Sequence, residues 1–333
     1  MNKPSPMEVK VRTVRSLVNR LSSISEQTQL DAICQLRLMT KHDPDSRSLI
    51  GESSALPILT ETLYSPIQTA QENAVATLLN ISISSRDLLM STRGILDALS
   101  HLLRLQSSSQ TSLQTAAATL YSLLLVDSYR PIIGAKRDIV YALIEIIKCQ
   151  NSVPRTIKDG LKALFGVALY PLNRANMIDL GIVGPLFSLV VKDGRLGIVE
   201  DATAVIAQVA GCYESGEAFK KVSGIGVLVD LLDKETGSSI RARENAVSAL
   251  LNMIRCGDEK IVEDVKEFGV EFLLESICDV AENGSSKAKN KANDLLNLLD
   301  GEEIRYSCSG NSLDREEVGY SFSGNSTSGE LNV

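Results

Sequence analysis

The chain has 333 residues, more than the roughly 250 to 300 at which a single hydrophobic core stops growing, so its length favours two domains or a repeat array. Leu, Ala, Ile and Val dominate an apolar content of 44%, with no Trp and only six Phe, which suits closely packed helices. The net charge of -7 excludes the basic footprint of a nucleic-acid-binding protein, and no apolar run reaches the roughly 18 residues that span a bilayer.

The first segment of the chain, residues 7–25, is basic and amphipathic. Its apolar residues share one face of a helix and are Val14, Leu17, Val18 and Leu21. A mitochondrial presequence has such a pattern, but the first helix of a repeat explains the segment better. We therefore expect residues 1–8 to be a flexible leader and residues 9–300 to form the folded body.

Two residue types then recur with a common period. One is a Leu inside an apolar segment: Leu59, Leu99, Leu143, Leu186, Leu228 and Leu273. The other is a small residue 15 to 18 positions after the first five of these: Ala74, Ala116, Gly160, Ala202 and Ala246, with Ala32 earlier. The last copy, near Ala292, sits one residue out of register. Both types keep a period of 40 to 45 residues, which indicates about seven repeats.

Counted from the small residue, positions +4 and +7 are apolar, which is the spacing of one face of a helix. A small residue at position zero lets a neighbouring helix approach closely. Each repeat therefore contains a shorter helix around its Leu and a longer helix around its small residue. Because a unit of this size cannot bury its apolar faces alone, we expect the repeats to stack into a solenoid.

Four stretches carry a resemblance to a known family: residues 14–23 (VRSLVNRLSS), 36–47 (LRLMTKHDPDSR), 71–82 (QENAVATLLNIS) and 243–254 (RENAVSALLNMI). They resemble the armadillo repeat, in the version found in plant U-box armadillo proteins, and the resemblance covers about residues 9 to 300. It implies an all-α, right-handed superhelical solenoid of about seven three-helix repeats. The third helices would line a concave groove that binds extended peptides or protein surfaces.

Position +6 of the long helix is small or polar in each of five copies: Asn80, Ser122, Gly166, Gln208 and Asn252. In armadillo families the matching Asn bonds to the backbone of an extended ligand, so the resemblance carries that role to Asn80 and Asn252. The other three residues depart from the family pattern and interrupt an Asn ladder. We expect the two amides to contact a ligand without supporting the repeat interior. The alternative is a polar stripe that faces solvent or a neighbouring helix.

We predict a partner-binding groove formed by seven residues: Asn73, Asn80, Ser122, Lys162, Gln208, Asn245 and Asn252. Armadillo grooves of the nuclear-import type carry Trp at position +2, and the lack of Trp argues against that function here. Charges beside the groove shift from acidic to basic along the chain: Glu72, Asp159, Glu200 and Asp201, then Arg241, Arg243, Lys287, Lys289 and Lys291. This gradient would orient a ligand of opposite polarity, or would only solvate the helix ends.

The sequence carries no pattern typical of catalysis or cofactor binding. His42 and His101 have no sequence neighbour suited to orienting a nucleophile, and no phosphate-binding glycine loop occurs. The six Cys residues lie at least 22 positions apart, so no C-x-x-C metal pair exists and reduced thiols are expected. We therefore predict no catalytic residue, metal or cofactor, and a monomeric protein of the cytosol or nucleus.

Residues 301–333 form a tail rich in Ser, Gly and Asn, which we expect to be disordered. Its six acidic residues and two arginines give it a charge of -4 and leave only -3 for the rest of the chain. The tail repeats one motif, YSCSGNS at residues 306–312 and YSFSGNS at residues 320–326. The duplication is either a low-complexity echo or a phosphorylatable motif read by a partner.

The leading functional prediction is a non-enzymatic adaptor that binds a partner protein or an extended peptide in the groove. The alternative is the substrate-recognition part, or a regulator, of a U-box type ubiquitin ligase, with ubiquitin-pathway substrates or kinases as partners. In the U-box armadillo proteins that the chain resembles, a U-box before the repeats recruits the ubiquitin-conjugating enzyme. Only some ten residues precede the first repeat here, so we expect this chain not to perform that step itself.

Overall fold

The structure is a computed structural model that describes residues 5–149, 151–257 and 259–300. Within those residues the regular elements are twenty α-helices and two 3₁₀ turns, Asp127–Tyr129 and Lys234–Thr236. The chain divides into two units, residues 1–299 and residues 300–333. The predicted tail, with its duplicated motif, lies outside the described residues.

Seven long helices carry the small residues, one in each repeat. They are α2 (Glu26–His42), α5 (Gln68–Ser84), α8 (Gln110–Leu124), α11 (Pro154–Ala168), α14 (Leu196–Val209), α17 (Ile240–Cys256) and α20 (Ser286–Asp300). Consecutive long helices pack along one another from α2 through to α17. Their side-by-side order confirms the repeat period read from the sequence.

The remaining helices complete the repeats. The first repeat has α1 (Pro6–Leu21) beside α2. The Leu anchors lie in α4 (Ala55–Thr62), α7 (Ile95–Arg104), α10 (Arg137–Lys148), α13 (Val183–Lys192), α16 (Gly224–Leu232) and α19 (Val270–Asn283). A short helix precedes each of these: α3 (Pro44–Gly51), α6 (Arg86–Ser91), α9 (Arg130–Gly134), α12 (Asn173–Asp179), α15 (Ser215–Lys220) and α18 (Glu259–Lys266). The fold is therefore an all-α solenoid of armadillo repeats, as predicted.

Helix α1 begins three residues before the predicted start of the solenoid at residue 9. Oγ of Ser5 accepts from the backbone N–H of Glu8 (3.2 Å), and the Glu8 carboxylate accepts from the backbone N–H of Ser5 (2.8 Å). This reciprocal capping box, with Pro6 in the first turn, starts the helix. The predicted leader of residues 1–8 was therefore too long, whereas the predicted helix is confirmed by the burial of its apolar face.

The small residue at position zero faces the second helix of its own repeat. A Cβ placed on Gly160 in α11 would lie 3.2 Å from Cγ2 of Ile146 in α10, tighter than an ordinary contact. The alanines at the same position are completely buried, for example Ala74, Ala202 and Ala246. The two helices can approach this closely only because no longer side chain separates them.

Arginines from the short helices bind the carboxyl ends of the long helices. Nε of Arg47 donates to the carbonyl of Thr40 (2.7 Å), and Nε of Arg174 donates to the carbonyl of Ala168 (2.9 Å). Nη1 of Arg174 also reaches the carbonyl of Gly211, beyond the next long helix (3.0 Å). The last carbonyls of a helix lack partners within it and carry the negative end of its dipole, so a guanidinium there stabilises the helix and joins two repeats.

We expect Ala202→Leu to lower the free energy of unfolding by about 1 to 3 kcal/mol, because the larger side chain overpacks the contact between α14 and α13. Ala204→Leu, two residues along on the partly exposed side of α14, serves as the matched control and should change it by less than about 0.5 kcal/mol. Urea unfolding followed by circular dichroism measures both values. Equal stability of the two variants would contradict the assigned role of the small residue.

Candidate protein-binding face

The long helices share one partly exposed side, which we call the long-helix face. It consists of positions -1, +2, +5, +6 and +9, counted from the buried small residue. On α5 these positions hold Asn73, Ala76, Leu79, Asn80 and Ile83. The face exists because positions 0, +4 and +7 turn into the core and leave the opposite side of the helix to solvent.

The seven predicted groove residues all lie on the long-helix face. They are distributed over five successive long helices, from α5 to α17. Because these helices pack side by side, the structure brings the predicted residues to one surface. Their individual contacts differ from one another and from the prediction.

The two asparagines at position +6 join consecutive long helices. Nδ2 of Asn80 donates to Oγ1 of Thr40 in α2 (3.1 Å), and Nδ2 of Asn252 donates to the carbonyl of Ala207 in α14 (2.7 Å). The expectation that these amides do not support the repeats was therefore wrong, since their donor halves bridge neighbouring repeats. Among the described residues nothing donates to either Oδ1, so the acceptor halves are available to a ligand.

The interruption of the Asn ladder at Gly166 follows from the neighbouring long helix. A Cβ on Gly166 would lie 2.8 Å from Cβ of Leu124 in α8, a distance that real side chains do not adopt. Beside Asn80, the neighbouring helix instead presents Thr40, which is smaller than Leu and has a hydroxyl that accepts the amide hydrogen bond. The residue at +6 is thus matched to the side chain that the previous repeat places against it.

Ser122 and Gln208, the remaining two residues at position +6, differ in their contacts. Ser122 is only 7% exposed, and within the described residues its Oγ has no hydrogen-bond partner. The side-chain oxygen of Gln208 accepts from Nη2 of Arg174 (3.3 Å). Ser122 therefore offers a partner very little surface, and Gln208 is held by the same arginine that binds the helix ends.

The asparagines at position -1 form a second set of bridges. Oδ1 of Asn73 accepts from Nη1 of Arg37 in α2 (2.8 Å). Nδ2 of Asn245 donates to the carbonyl of Glu200 and to Oγ1 of Thr203 in α14, both at 3.1 Å. The asparagines at both positions are therefore anchored in the previous long helix, which fixes the side chains that a partner would meet.

Charged residues on the long-helix face lie on both sides of α5 and α8, and on α2 they are Asp31, Arg37 and Lys41. On α5 and α8 none of the five face positions holds a charged residue, whereas α11 and α14 contribute Asp159, Lys162 and Asp201. Nζ of Lys162 lies 3.6 Å from Oδ1 of Asp159, and Nζ of Lys158 lies 3.9 Å from Oδ2 of Asp201. Burial raises the pKa of the Asp201 carboxyl, and the positive charge of Lys158 opposes that shift. The face thus has an uncharged stretch on α5 and α8, with charged positions on α2 before it and on α11 and α14 after it.

The two arginines at the basic end of the predicted charge gradient are paired with carboxylates of the solenoid. Arg243 forms an ion pair with Asp279, and Nη1 of Arg241 lies 3.8 Å from a carboxylate oxygen of Glu200. Burial lowers the pKa of Lys291, and the nearby positive charges of Lys287 and Arg255 lower it further. These contacts favour a structural role for the later charges over the orientation of a ligand.

The residues considered for redox or catalytic chemistry are dispersed. Within the described residues no disulfide forms, and no group of three or more His, Cys, Asp or Glu side chains is placed to hold a metal ion. Burial raises the pKa of the Cys212 thiol to about 11, so the thiol is protonated at neutral pH. His42 is exposed at the end of α2, and the ring of His101 packs against Tyr64 with centroids 4.7 Å apart.

No single helix in residues 5–149, 151–257 and 259–300 is long and apolar enough to cross a bilayer. Among these residues only the pair α12 and α13, bent by 76°, has sufficient length and composition when the two are joined.

Replacing Asn80 or Asn252 with Ala is expected to lower the free energy of unfolding by about 0.5 to 1.5 kcal/mol, because each variant loses a hydrogen bond between long helices. Asn293→Ala, at an exposed position of α20, is the control and should be within about 0.5 kcal/mol of the parent chain. Denaturant unfolding measures the free energy of unfolding of each variant and of the parent chain. If Asn80→Ala and Asn252→Ala matched the control, the bridges would contribute nothing measurable to stability.

Known proteins with related sequences share this repeat region. The model of the plant U-box protein ARM repeat region matches residues 13–312. U-box domain-containing protein 16 of Arabidopsis thaliana is 26% identical over 303 residues, which cover 89% of this chain and 42% of that protein. U-box domain-containing protein 17 of the same species is 30% identical over 308 residues, which cover 91% of this chain and 41% of that protein. The chain thus spans about two-fifths of the length of these relatives.

Solved structures agree on the fold. The crystal structure of an engineered protein matches with a TM-score of 0.75 at 21% identity, over 86% of this chain and 68% of the other. At that identity the likeness concerns the fold alone. The family model, in contrast, covers most of the sequence, and the stacked three-helix repeats agree with it. The chain therefore belongs to the family of the plant U-box protein ARM repeat region.

Proposed function

We propose that the protein is a binding scaffold whose long-helix face receives a segment of a partner protein. The observation that carries the proposal is the uncharged stretch of the face, on α5 and α8. Its central positions hold the small residues Ala76 and Ala118, which leave room for a partner's side chains. At its edge Ile83 and Leu125 are each 49% exposed, although large apolar residues are usually buried.

The bridging amides add hydrogen-bonding capacity to this apolar surface. Because Asn80 is held by Thr40, its free acceptor is fixed in position before a partner arrives. A fixed acceptor lowers the entropic cost of binding and can accept from a backbone N–H of an extended segment. The absence of charge at the face positions of α5 and α8 favours an uncharged, partly apolar segment over a strongly basic or acidic one.

The test is a pull-down with the 333-residue chain as immobilised bait in a plant-cell extract, with the retained proteins quantified by mass spectrometry. The variant Ala76→Arg/Ala118→Arg covers the uncharged stretch of the long-helix face with long side chains. Both positions are partly exposed, so the fold should persist. We expect at least one retained protein to fall by about tenfold or more, the loss typical of a blocked interface centre.

The matched control is Tyr141→Arg, on a 47% exposed residue of α10 that lies outside the long-helix face. It should retain the same proteins as the parent chain. An identical set of proteins on all three baits would place any binding elsewhere and would overturn the proposal.

A second candidate function is substrate recognition for a ubiquitin ligase. The observation that favours it is the family itself, since the relatives named above are U-box domain-containing proteins. In this function the repeats hold the protein to be modified, and a U-box recruits the conjugating enzyme. The proposed scaffold would then act as one part of the ligation reaction.

With activating and conjugating enzymes, ubiquitin and ATP, the purified 333-residue chain is expected to form no ubiquitin chains by itself. The physical reason is that armadillo repeats present a binding surface and no group that activates a thioester. Immunoblotting for ubiquitin detects any chains that form, and a U-box protein serves as the positive control. Robust autoubiquitination would overturn the assignment of a purely binding role.

A further inference from the structure

A cavity of about 510 Å³ lies between α10 and α13, the second helices of the fourth and fifth repeats. We call it the α10–α13 cavity. Its walls include the apolar side chains of Ile147, Ile157, Pro185 and Leu189. The volume falls in the range of sites that hold a ligand or a large side chain. None of its lining residues belongs to the long-helix face.

The rim of the α10–α13 cavity is positively charged. Lys148, Lys192 and Arg195 line it, together with a single carboxylate, that of Asp193. Arg195 is paired with Asp193, and Nζ of Lys148 lies 3.0 Å from a carboxylate oxygen of Glu145. Lys192 makes no ion pair within the described part of the chain, so its charge is free for an anionic partner.

The second helix of the sixth repeat has an aromatic ring beside the glycine that corresponds to Gly184. Gly184 in α13 and Gly226 in α16 occupy the same position relative to the Leu anchor. A Cβ on Gly226 would lie 3.0 Å from the ring of Phe268, whereas a Cβ on Gly184 would meet no atom within 4 Å. Ser223 stands where the following repeat has Phe268, so the chain itself supplies no aromatic ring to Gly184.

Exposed apolar residues stand next to the rim residues in the sequence. Val191, which precedes Lys192, is 64% exposed, and Leu196, the first residue of α14, is 60% exposed. Leu196 follows the rim residue Arg195 directly. An apolar surface that extends past the rim is larger than a small molecule covers, which favours a polypeptide as the occupant.

We propose that the α10–α13 cavity is a second docking site, which takes a large apolar or aromatic side chain of a partner protein whose neighbouring residues are Asp or Glu. The apolar walls and the open space at Gly184 accept the side chain. Lys192 and the other cations of the rim attract the flanking carboxylates. The site is separate from the long-helix face and does not depend on the function proposed for that face.

The test is a selection from a random-peptide display library on the 333-residue chain. Peptides that combine Phe, Leu or Trp with flanking Asp or Glu are expected to be enriched. One enriched peptide is then synthesised with a fluorescein label, and its affinity for the chain is measured by fluorescence anisotropy. Gly184→Leu, which places a side chain in the open space, should raise Kd by about tenfold or more. Lys192→Glu should raise Kd by about fivefold and weaken its dependence on salt.

Two variants serve as matched controls. Gly184→Ala adds one methyl group, and Lys221→Glu reverses an exposed charge outside the cavity, so each should leave Kd within about twofold. The position of the peptide is read from alkylation of thiols. Bound peptide should slow the alkylation of Cys149, which lines the cavity, and leave that of Cys34, exposed on α2, unchanged.

Several results would overturn the proposal. One is enrichment of peptides without the acidic and apolar combination; another is a Kd that both Gly184→Leu and Lys192→Glu leave unchanged. Peptides that lose affinity in Ala76→Arg/Ala118→Arg, but not in Gly184→Leu, would bind the long-helix face and support only the scaffold function. Because Lys192 is exposed, Lys192→Glu remains informative even if Gly184→Leu lowers the thermal midpoint.

Discussion

The contact between consecutive long helices determines most of what this protein presents to solvent. At position +6 a residue meets the side chain that the previous repeat places against it, so its size is set by packing. Gly166 is small because Leu124 fills the space, and Asn80 is accommodated because Thr40 is short and accepts its amide hydrogen. A surface that forms in this way varies from repeat to repeat without any change in the backbone.

The same constraint gives the polar residues two roles. An amide that bridges two long helices satisfies a buried acceptor with its Nδ2 and presents its Oδ1 to solvent, as Asn252 does over Ala207. The guanidinium of Arg174 connects the ends of two successive long helices and also holds Gln208. Because these groups stabilise the stack, their replacement alters recognition and stability together. Position +2, which makes no such bridge on α5 and α8, is the better place to probe binding alone.

Periodicity was sufficient to predict the helices and their stacking, because burial on one side of a helix leaves a strong signal in each copy. The start of α1 was missed by three residues, since the capping box of Ser5 and Glu8 precedes the first apolar residue of the pattern. The bridging role of Asn80 could not be read from its own repeat. It depends on Thr40, forty residues earlier, and appears only when position +6 of one repeat is compared with the end of the preceding long helix. The arginines that bind the carboxyl ends of the long helices recur near the starts of the short helices. A search for apolar residues does not detect them.

The α10–α13 cavity is a second feature that the sequence does not predict. Its walls come from the fourth and fifth repeats, and the sixth repeat has Ser223 at the position where the seventh has Phe268. In a solenoid each repeat contacts mainly its neighbours, so such a gap is not relieved by rearrangement elsewhere in the chain. The long-helix face on α5 and α8 and the cavity beside α13 lie in different repeats, and α8 packs on α11, which contributes Ile157 to the cavity. A partner that used both would gain affinity through linkage of two independent contacts, without any conformational change in the scaffold.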